Sequence, residues 1–301
     1  MGRQPSRSRW RGVPTAVAEA FNRRGWSPVA LLNRLDRLTP GRDRSRLARE
    51  GVPYGPHERH RLDIWGPRAH LDGETLPVVI FFYGGGWHSG SRSEYGFAGA
   101  AFARQGFIGV VPDYRLAPSV RYPGFLWDAA MAVRWVRRNI GQFGGDPNRI
   151  VLSGHSAGAY IGAMLALDTR WLDGVGLPRD TVKAAVLLSG PYDFAPFRER
   201  RGRQAFGHWP DPVETQPITY VRRDAPPILL IHGSSDRIVY AKNSRRLAER
   251  LRELGAPVEL LVYKGANHAD PVIALARPFR DRVPTLDDAV AFLRSALPPP
   301  T

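Results

Sequence analysis

One fifteen-residue stretch constrains this chain more than any other: Ile150-Val-Leu-Ser-Gly-His-Ser-Ala-Gly-Ala-Tyr-Ile-Gly-Ala-Met164. Ile150 to Leu152 is a short apolar run, as a buried strand would be. Gly154-His155-Ser156-Ala157-Gly158 then turns the chain. Small residues follow, with Ile161, Met164 and Leu165 at helical spacing. The pattern is strand, G-x-S-x-G, helix. A serine at its centre sits on a tight turn at the carboxyl end of the strand, with its hydroxyl pushed outward. Glycines two before and two after let strand and helix pass without side-chain clash. The N–H groups that open the helix face any negative oxygen formed beside that hydroxyl. The plain alternative is a Gly-rich turn in an ordinary α/β sheet, so the rest of the chain has to decide.

On both sides of this stretch, strand-like and helix-like segments alternate. Leu76 to Tyr83 and Phe107 to Pro112 are continuous apolar runs, as in strands buried on both faces. Ala184 to Ser189, Pro226 to His232 and Val258 to Tyr263 read as further strands. Helical periodicity lies around Tyr95 to Arg104, Trp127 to Ile140, Asn243 to Leu254 and Leu286 to Leu297. Residues 51–65 read as two edge strands, paired antiparallel. This alternation predicts an α/β fold: a mostly parallel central sheet with helices on both faces. One catalytic domain is expected over residues 51–301. Residues 193–224 lack periodicity and carry Arg198, Arg200, Arg201 and Arg203 among aromatics, which suits a small cap insertion. Residues 1–50 form a basic extension. Its first twelve residues have a disordered composition. Residues 14–38 suit one or two amphipathic helices, broken near Gly25-Trp26-Ser27-Pro28. These could cap a site, pack on the core or touch an acidic membrane surface.

The formal charge of +15 invites a nucleic-acid partner. Its distribution argues otherwise: roughly half the excess lies in residues 1–50, nearly all of it arginine, and no nucleic-acid-binding motif accompanies it. The chain has no cysteine, which excludes disulfides, thiolate metal sites and a cysteine nucleophile, and fits a cytoplasmic setting. No apolar run reaches the length of a membrane span, and no secretory signal is evident.

A serine hydroxyl needs a base, and the base needs an orienting carboxylate. In a doubly wound sheet these come from the carboxyl ends of strands. Asp236 follows one such strand in His232-Gly-Ser-Ser-Asp236, and His268 follows the next in Asn267-His268. The order Ser156, Asp236, His268 is the serine–acid–histidine order of α/β-hydrolases. His155, His232 and His88 compete for the base. His155 adjoins the serine and should point elsewhere, and His232 suits packing at a strand end. Asp193, Asp113, Asp146 and Asp270 compete for the acid, of which Asp113 and Asp146 suit turns or loop anchors. The turn Tyr83-Gly84-Gly85-Gly86-Trp87 after a buried strand can present N–H groups from Gly84 and Gly85 to an oxyanion, beside that of Ala157.

From about residue 52 onward the chain resembles α/β-hydrolase carboxylesterases of the hormone-sensitive-lipase-like and feruloyl-esterase-like group. The likeness rests on Gly84-Gly-Gly-Trp87, Asp113-Tyr-Arg-Leu-Ala-Pro118, Gly145-Asp-Pro147, Gly154-His-Ser-Ala-Gly158, His232-Gly-Ser-Ser-Asp236 and Asn267-His268. It implies acyl transfer to water through a serine ester, with no cofactor and no metal. The substrate would be a small, short-chain carboxylic ester, since no long apolar lid is evident. Related enzymes usually carry His-Gly-Gly-Gly; here Tyr83 takes the first position, which puts the loop's anchoring hydrogen bond and the acyl pocket in question. Tyr83, Gly86, Trp87 and His155 are the candidate pocket residues. Two rivals stand beside this reading: an arylformamidase-like amide hydrolase, and a non-catalytic binding protein on the same fold. A homodimer remains open.

Overall fold

The computed structural model describes residues 28–40, 43–69 and 75–297. The expected disorder before residue 13 and the helix break at Gly25–Ser27 lie outside the described residues. Eight strands form one sheet: β1 (Ser45–Pro53), β2 (Arg61–Pro67), β3 (Leu76–Phe82), β4 (Ile108–Pro112), β5 (Gly145–His155), β6 (Val182–Leu188), β7 (Ile228–Gly233) and β8 (Val258–Tyr263). Their order across the sheet is β1-β2-β4-β3-β5-β6-β7-β8. The β1–β2 and β2–β4 pairs are antiparallel and the others parallel. Helices cover both faces, as the alternation predicts.

The five strands from β4 to β7 in this order each contain an apolar run that is almost wholly buried. This is the burial that helices on both faces impose. β8 closes one side with half-buried residues. β3 and β5 lie at the centre, in register from Val78–Ile150 to Phe82–Gly154. Their carboxyl ends therefore carry the Tyr83–Trp87 turn and the Ser156 turn side by side.

The helices are α1 (Pro28–Leu38), α2 (Gly96–Ala103), α3 (Gly124–Asn139), α4 (Ala157–Leu167), α5 (Arg170–Asp173), α6 (Arg200–Phe206), α7 (Lys242–Glu253), α8 (Asp270–Ile273) and α9 (Thr285–Ala296). α4 has apolar and small residues all round and is buried along its whole length. α7 is amphipathic, burying Leu247, Ala248 and Leu251. The 193–224 excursion holds α6 and two short 3-10 turns, Pro212–Thr215 and Pro217–Tyr220. Its Phe194 and Phe206 pack against the Trp87 ring.

The expected boundary at residue 50 falls inside β1, which starts at Ser45. Nor is the described part of the N-terminal segment a free extension. Asp36 of α1 is buried and accepts Arg104 Nη2 at 2.6 Å, the Arg277 backbone N–H at 2.7 Å and a longer Arg104 Nη1 contact at 3.3 Å. Arg104 also reaches Asp43 at 3.0 Å. Burial works against ionisation of the Asp43 carboxyl, but Arg104 and Ser45 together hold it below the usual carboxylate range. Truncating Arg104 would leave the buried Asp36 carboxylate with only the more distant Arg277 guanidinium, at 3.9 Å, which costs toward the lower end of about 3–5 kcal/mol. Arg104→Met should therefore lower urea-unfolding stability by about that amount. A loss under about 1 kcal/mol, the value of an exposed pair, would contradict this clamp.

Candidate active site

Ser156 sits between β5 and α4 with φ +54°, in the left-handed region that non-glycine residues rarely occupy. Two glycines permit this geometry. A Cβ on Gly158 would lie 1.9 Å from Phe82 O, and one on Gly154 would lie 2.5 Å from the Gly158 backbone. Only hydrogen fits where α4 crosses β3 and β5 so closely. The Ser156 N–H donates to Leu188 O at 2.8 Å, and its carbonyl accepts the Tyr160 N–H at 3.0 Å. The strained residue is thus pinned from both sides.

The turn after β8 brings His268 to this serine. His268 Nε2 is 2.9 Å from Ser156 Oγ, and His268 Nδ1 is 2.7 Å from Asp236 Oδ2. An ionised carboxylate only accepts, so Nδ1 carries the proton and Nε2 accepts from the serine hydroxyl. Asp236 Oδ1 accepts the N–H groups of Ile238 and Val239, each at 2.9 Å. Burial works against ionisation of Asp236, but the donors His232, His268 and Val239 outweigh it and keep the carboxyl below its ordinary range. The turn carrying His268 is itself tied down. Asn267 N–H donates to Asp270 Oδ2 at 2.7 Å, and Asn267 Oδ1 accepts the Ala269 N–H at 2.9 Å.

The competing residues lie elsewhere. Asp193 pairs with Arg246 at 2.5 Å. Asp146 accepts the Asn148 N–H within its own turn. Asp270 braces the His268 turn, and His88 Nε2 meets only Arg201 O, at 3.3 Å. His232 does end a strand as expected, but it also lies 3.2 Å from Asp236 Oδ2. Its four-residue spacing from Asp236 was the available sign.

His155, expected as a pocket residue, does not line one. Its buried ring packs at 4.8 Å from the His268 ring, and Nε2 donates to the His268 carbonyl at 2.9 Å. Burial, and then the neighbouring His268, push its pKa down to about 3, so it stays neutral.

Tyr83 is also no pocket residue. It is wholly buried, with its ring stacked between Tyr114 and Tyr95 at 4.7 and 5.5 Å. Its hydroxyl donates to Asp113 Oδ1 at 2.9 Å and accepts from Arg59 Nη2 at 2.8 Å. Burial and the Asp113 charge raise its pKa well above normal, which keeps the donor protonated. Asp113, read as a loop anchor, is one, and Arg92 holds it through both N–H and side chain at 2.7 Å. Arg59 had no sequence signal. Trp87 is buried against Phe194 and Phe206, as a wall rather than an open surface. Gly86 is half-exposed, and the Arg201 side chain lies over it.

The glycine turn lies over the nucleophile: a Cβ on Gly84 would be 3.3 Å from Ser156 Cβ. Among the described residues, the Gly84, Gly85 and Gly86 N–H groups meet no backbone acceptor. Gly85 has φ +125°, and a Cβ there would lie 2.1 Å from Ser89 O. The Ala157 N–H opens α4 and has no intrahelical partner. Among the described residues, no cluster of His, Asp and Glu could hold a metal ion.

The strand order, the serine turn between β5 and α4 and the turn after β3 define the α/β-hydrolase fold. The chain belongs to the BD-FAE family, whose model matches residues 62–251. It is 35% identical over 255 residues to esterase LipC of Mycobacterium tuberculosis, covering 78% of this chain and 63% of that protein. It is 32% identical over 277 residues to isoprenylcysteine alpha-carbonyl methylesterase ICME of Arabidopsis thaliana, covering 83% of this chain and 63% of that protein. The chain thus spans a little under two thirds of the length of these two relatives. Among solved structures it is similar to a thermophilic esterase, Est2, from Thermogutta terrifontis, at 27% identity and TM-score 0.68, covering 82% of this chain and 91% of that one. Esterase B from Lactobacillus rhamnosis, at 19% identity and TM-score 0.76, covers 94% and 96% and bears on the fold alone.

The Tyr83 hydroxyl bonds predict a kinetic signature. Removing one oxyanion donor costs roughly 10²–10³ in turnover, and loosening the loop that carries one costs less, about tenfold. Tyr83→Phe should lower kcat by about that factor and leave KM nearly unchanged, because the oxyanion exists only in the transition state. Steady-state kinetics on a p-nitrophenyl ester measures this. A fully active Tyr83→Phe with unshifted Tm would confine the role of the residue to ring packing.

Proposed function

We propose that this chain is a serine carboxylesterase acting on small, short-chain carboxylic esters through an acyl-enzyme. The observation that carries the reading is the unbroken hydrogen-bond chain from Asp236 through His268 to Ser156. In this reading Ser156 Oγ attacks the ester carbonyl while His268 Nε2 takes its proton. Asp236 remains ionised, holding the imidazole in the tautomer that can accept and stabilising the imidazolium that forms. Gly84, Gly85 and Ala157 N–H groups bind the tetrahedral oxyanion. Collapse expels the alcohol, which takes the proton from His268. Water, activated by the same histidine, then releases the acid and restores the serine.

One observation supports short acyl chains. The described cap is one short helix with two 3-10 turns, and its Phe194 and Phe206 are spent on packing against Trp87. The two curated relatives named above are an esterase and a methylesterase, which agrees with ester chemistry of this kind.

The test is a panel of p-nitrophenyl esters of increasing acyl length, with an aryl formamide as the amide arm. The expected result is highest kcat/KM on acetate to butyrate and little turnover of the formamide. On the preferred ester, Asp236→Asn should lose on the order of 10⁴ in kcat by the wrong-tautomer effect. Asp193→Asn should behave as wild type. A dead Asp193→Asn beside a near-normal Asp236→Asn would move the acid to the other loop.

A further inference from the structure

His232 has a place beside the acid that packing at a strand end does not explain. It lies in β7, and its ring is wholly buried, as is the Asp236 side chain. Nε2 sits 2.7 Å from the Val239 carbonyl and 3.2 Å from Asp236 Oδ2. Both neighbours accept, so Nε2 carries the ring proton. Nδ1 is then a lone pair, and the buried Ser244 hydroxyl of α7 donates to it at 2.7 Å. Three partners thus fix one tautomer and one ring orientation.

The peptide unit at Val239 shows what the ring holds. Its N–H donates to Asp236 Oδ1, and its C=O receives the His232 proton. The short turn from Asp236 to Val239 is therefore fastened to its own carboxylate on one side and to β7 on the other. Asp236 Oδ2 lies between two imidazoles, His268 at 2.7 Å and His232 at 3.2 Å. The titratable groups facing this carboxylate are His232 from β7, His268 from the turn after β8 and His155 from the end of β5. Among the described residues, no lysine or arginine comes within ion-pair distance of it.

We propose that His232, oriented by Ser244, is a positioning residue that fixes the Asp236 carboxylate and sets how strongly it holds the His268 imidazolium. The inference rests on Asp236 being the acid of the site. A donor on Oδ2 draws charge away from His268 and stops the carboxylate from rotating. Without it, the carboxylate becomes more basic and pairs more tightly with a protonated His268. The acid limb of kcat/KM then moves to higher pH, while poorer orientation lowers kcat. A hydrogen bond to a charged group carries enough energy for a loss of about 10- to 100-fold. A residue that only filled space would move neither the pH limb nor kcat independently of stability.

The experiment compares His232→Leu, His232→Gln and Ser244→Ala with wild type by pH–rate profile on a p-nitrophenyl ester, alongside Tm. Glutamine can place an N–H near the Nε2 position; leucine cannot. His232→Leu should lose about 10- to 100-fold in kcat with KM little changed and an upshifted acid limb. His232→Gln should recover most of both, and Ser244→Ala should fall between. A folded His232→Leu with wild-type kcat and an unmoved acid limb overturns the proposal. If His232→Leu does not fold, an unshifted profile in Ser244→Ala overturns it instead. Asp236→Asn separates the two levels of the argument. If that variant is inactive while the His232 variants behave as wild type, only the positioning role fails. If Asp236→Asn is itself active, the assignment of the acid fails.

Discussion

The approach of α4 to β3 and β5 is the constraint on which the rest depends. Gly158 touches the Phe82 carbonyl, and Gly154 touches Gly158, at distances that no larger residue allows. That approach forces Ser156 into a left-handed backbone conformation, which costs on the order of 1–3 kcal/mol. The surroundings hold it there, through bonds from Ser156 N–H to β6 and from its carbonyl to Tyr160. In return the hydroxyl stands clear of the sheet, next to the first free N–H of a helix. It also lies directly under the glycine turn that follows β3.

Two buried polar networks flank this point, and each fixes one side of the site. On one side, Tyr83, Asp113, Arg59 and Arg92 anchor the base of the glycine turn. On the other, Asp236 is satisfied by two backbone N–H groups and two imidazoles. Buried charges are tolerable because they are paired and hydrogen-bonded; unpaired, each would be costly. His155 adds a neutral link between the serine turn and the His268 carbonyl.

What could be read from the sequence was what is local in it. G-x-S-x-G needs only its own five residues to specify the turn. Asp236 and His268 each follow an apolar run by a few residues, so strand-end logic found them. The partners of the Tyr83 hydroxyl were out of reach, because Arg59 and Asp113 lie 24 and 30 positions away. Periodicity does not report such pairs. The start of β1 was missed for another reason: Ser-Arg-Leu-Ala-Arg-Glu is a charged edge strand whose mixed burial leaves no clean alternation.

The central claim is that Ser156 becomes covalently bound, and mass spectrometry after reaction with a fluorophosphonate tests it most directly. Intact mass should show one phosphonyl adduct per chain, and peptide mapping should place it on Ser156. His268→Ala should acquire the same adduct far more slowly, since the serine then lacks its base. An adduct on any other residue, or full labelling of Ser156→Ala, would contradict the account.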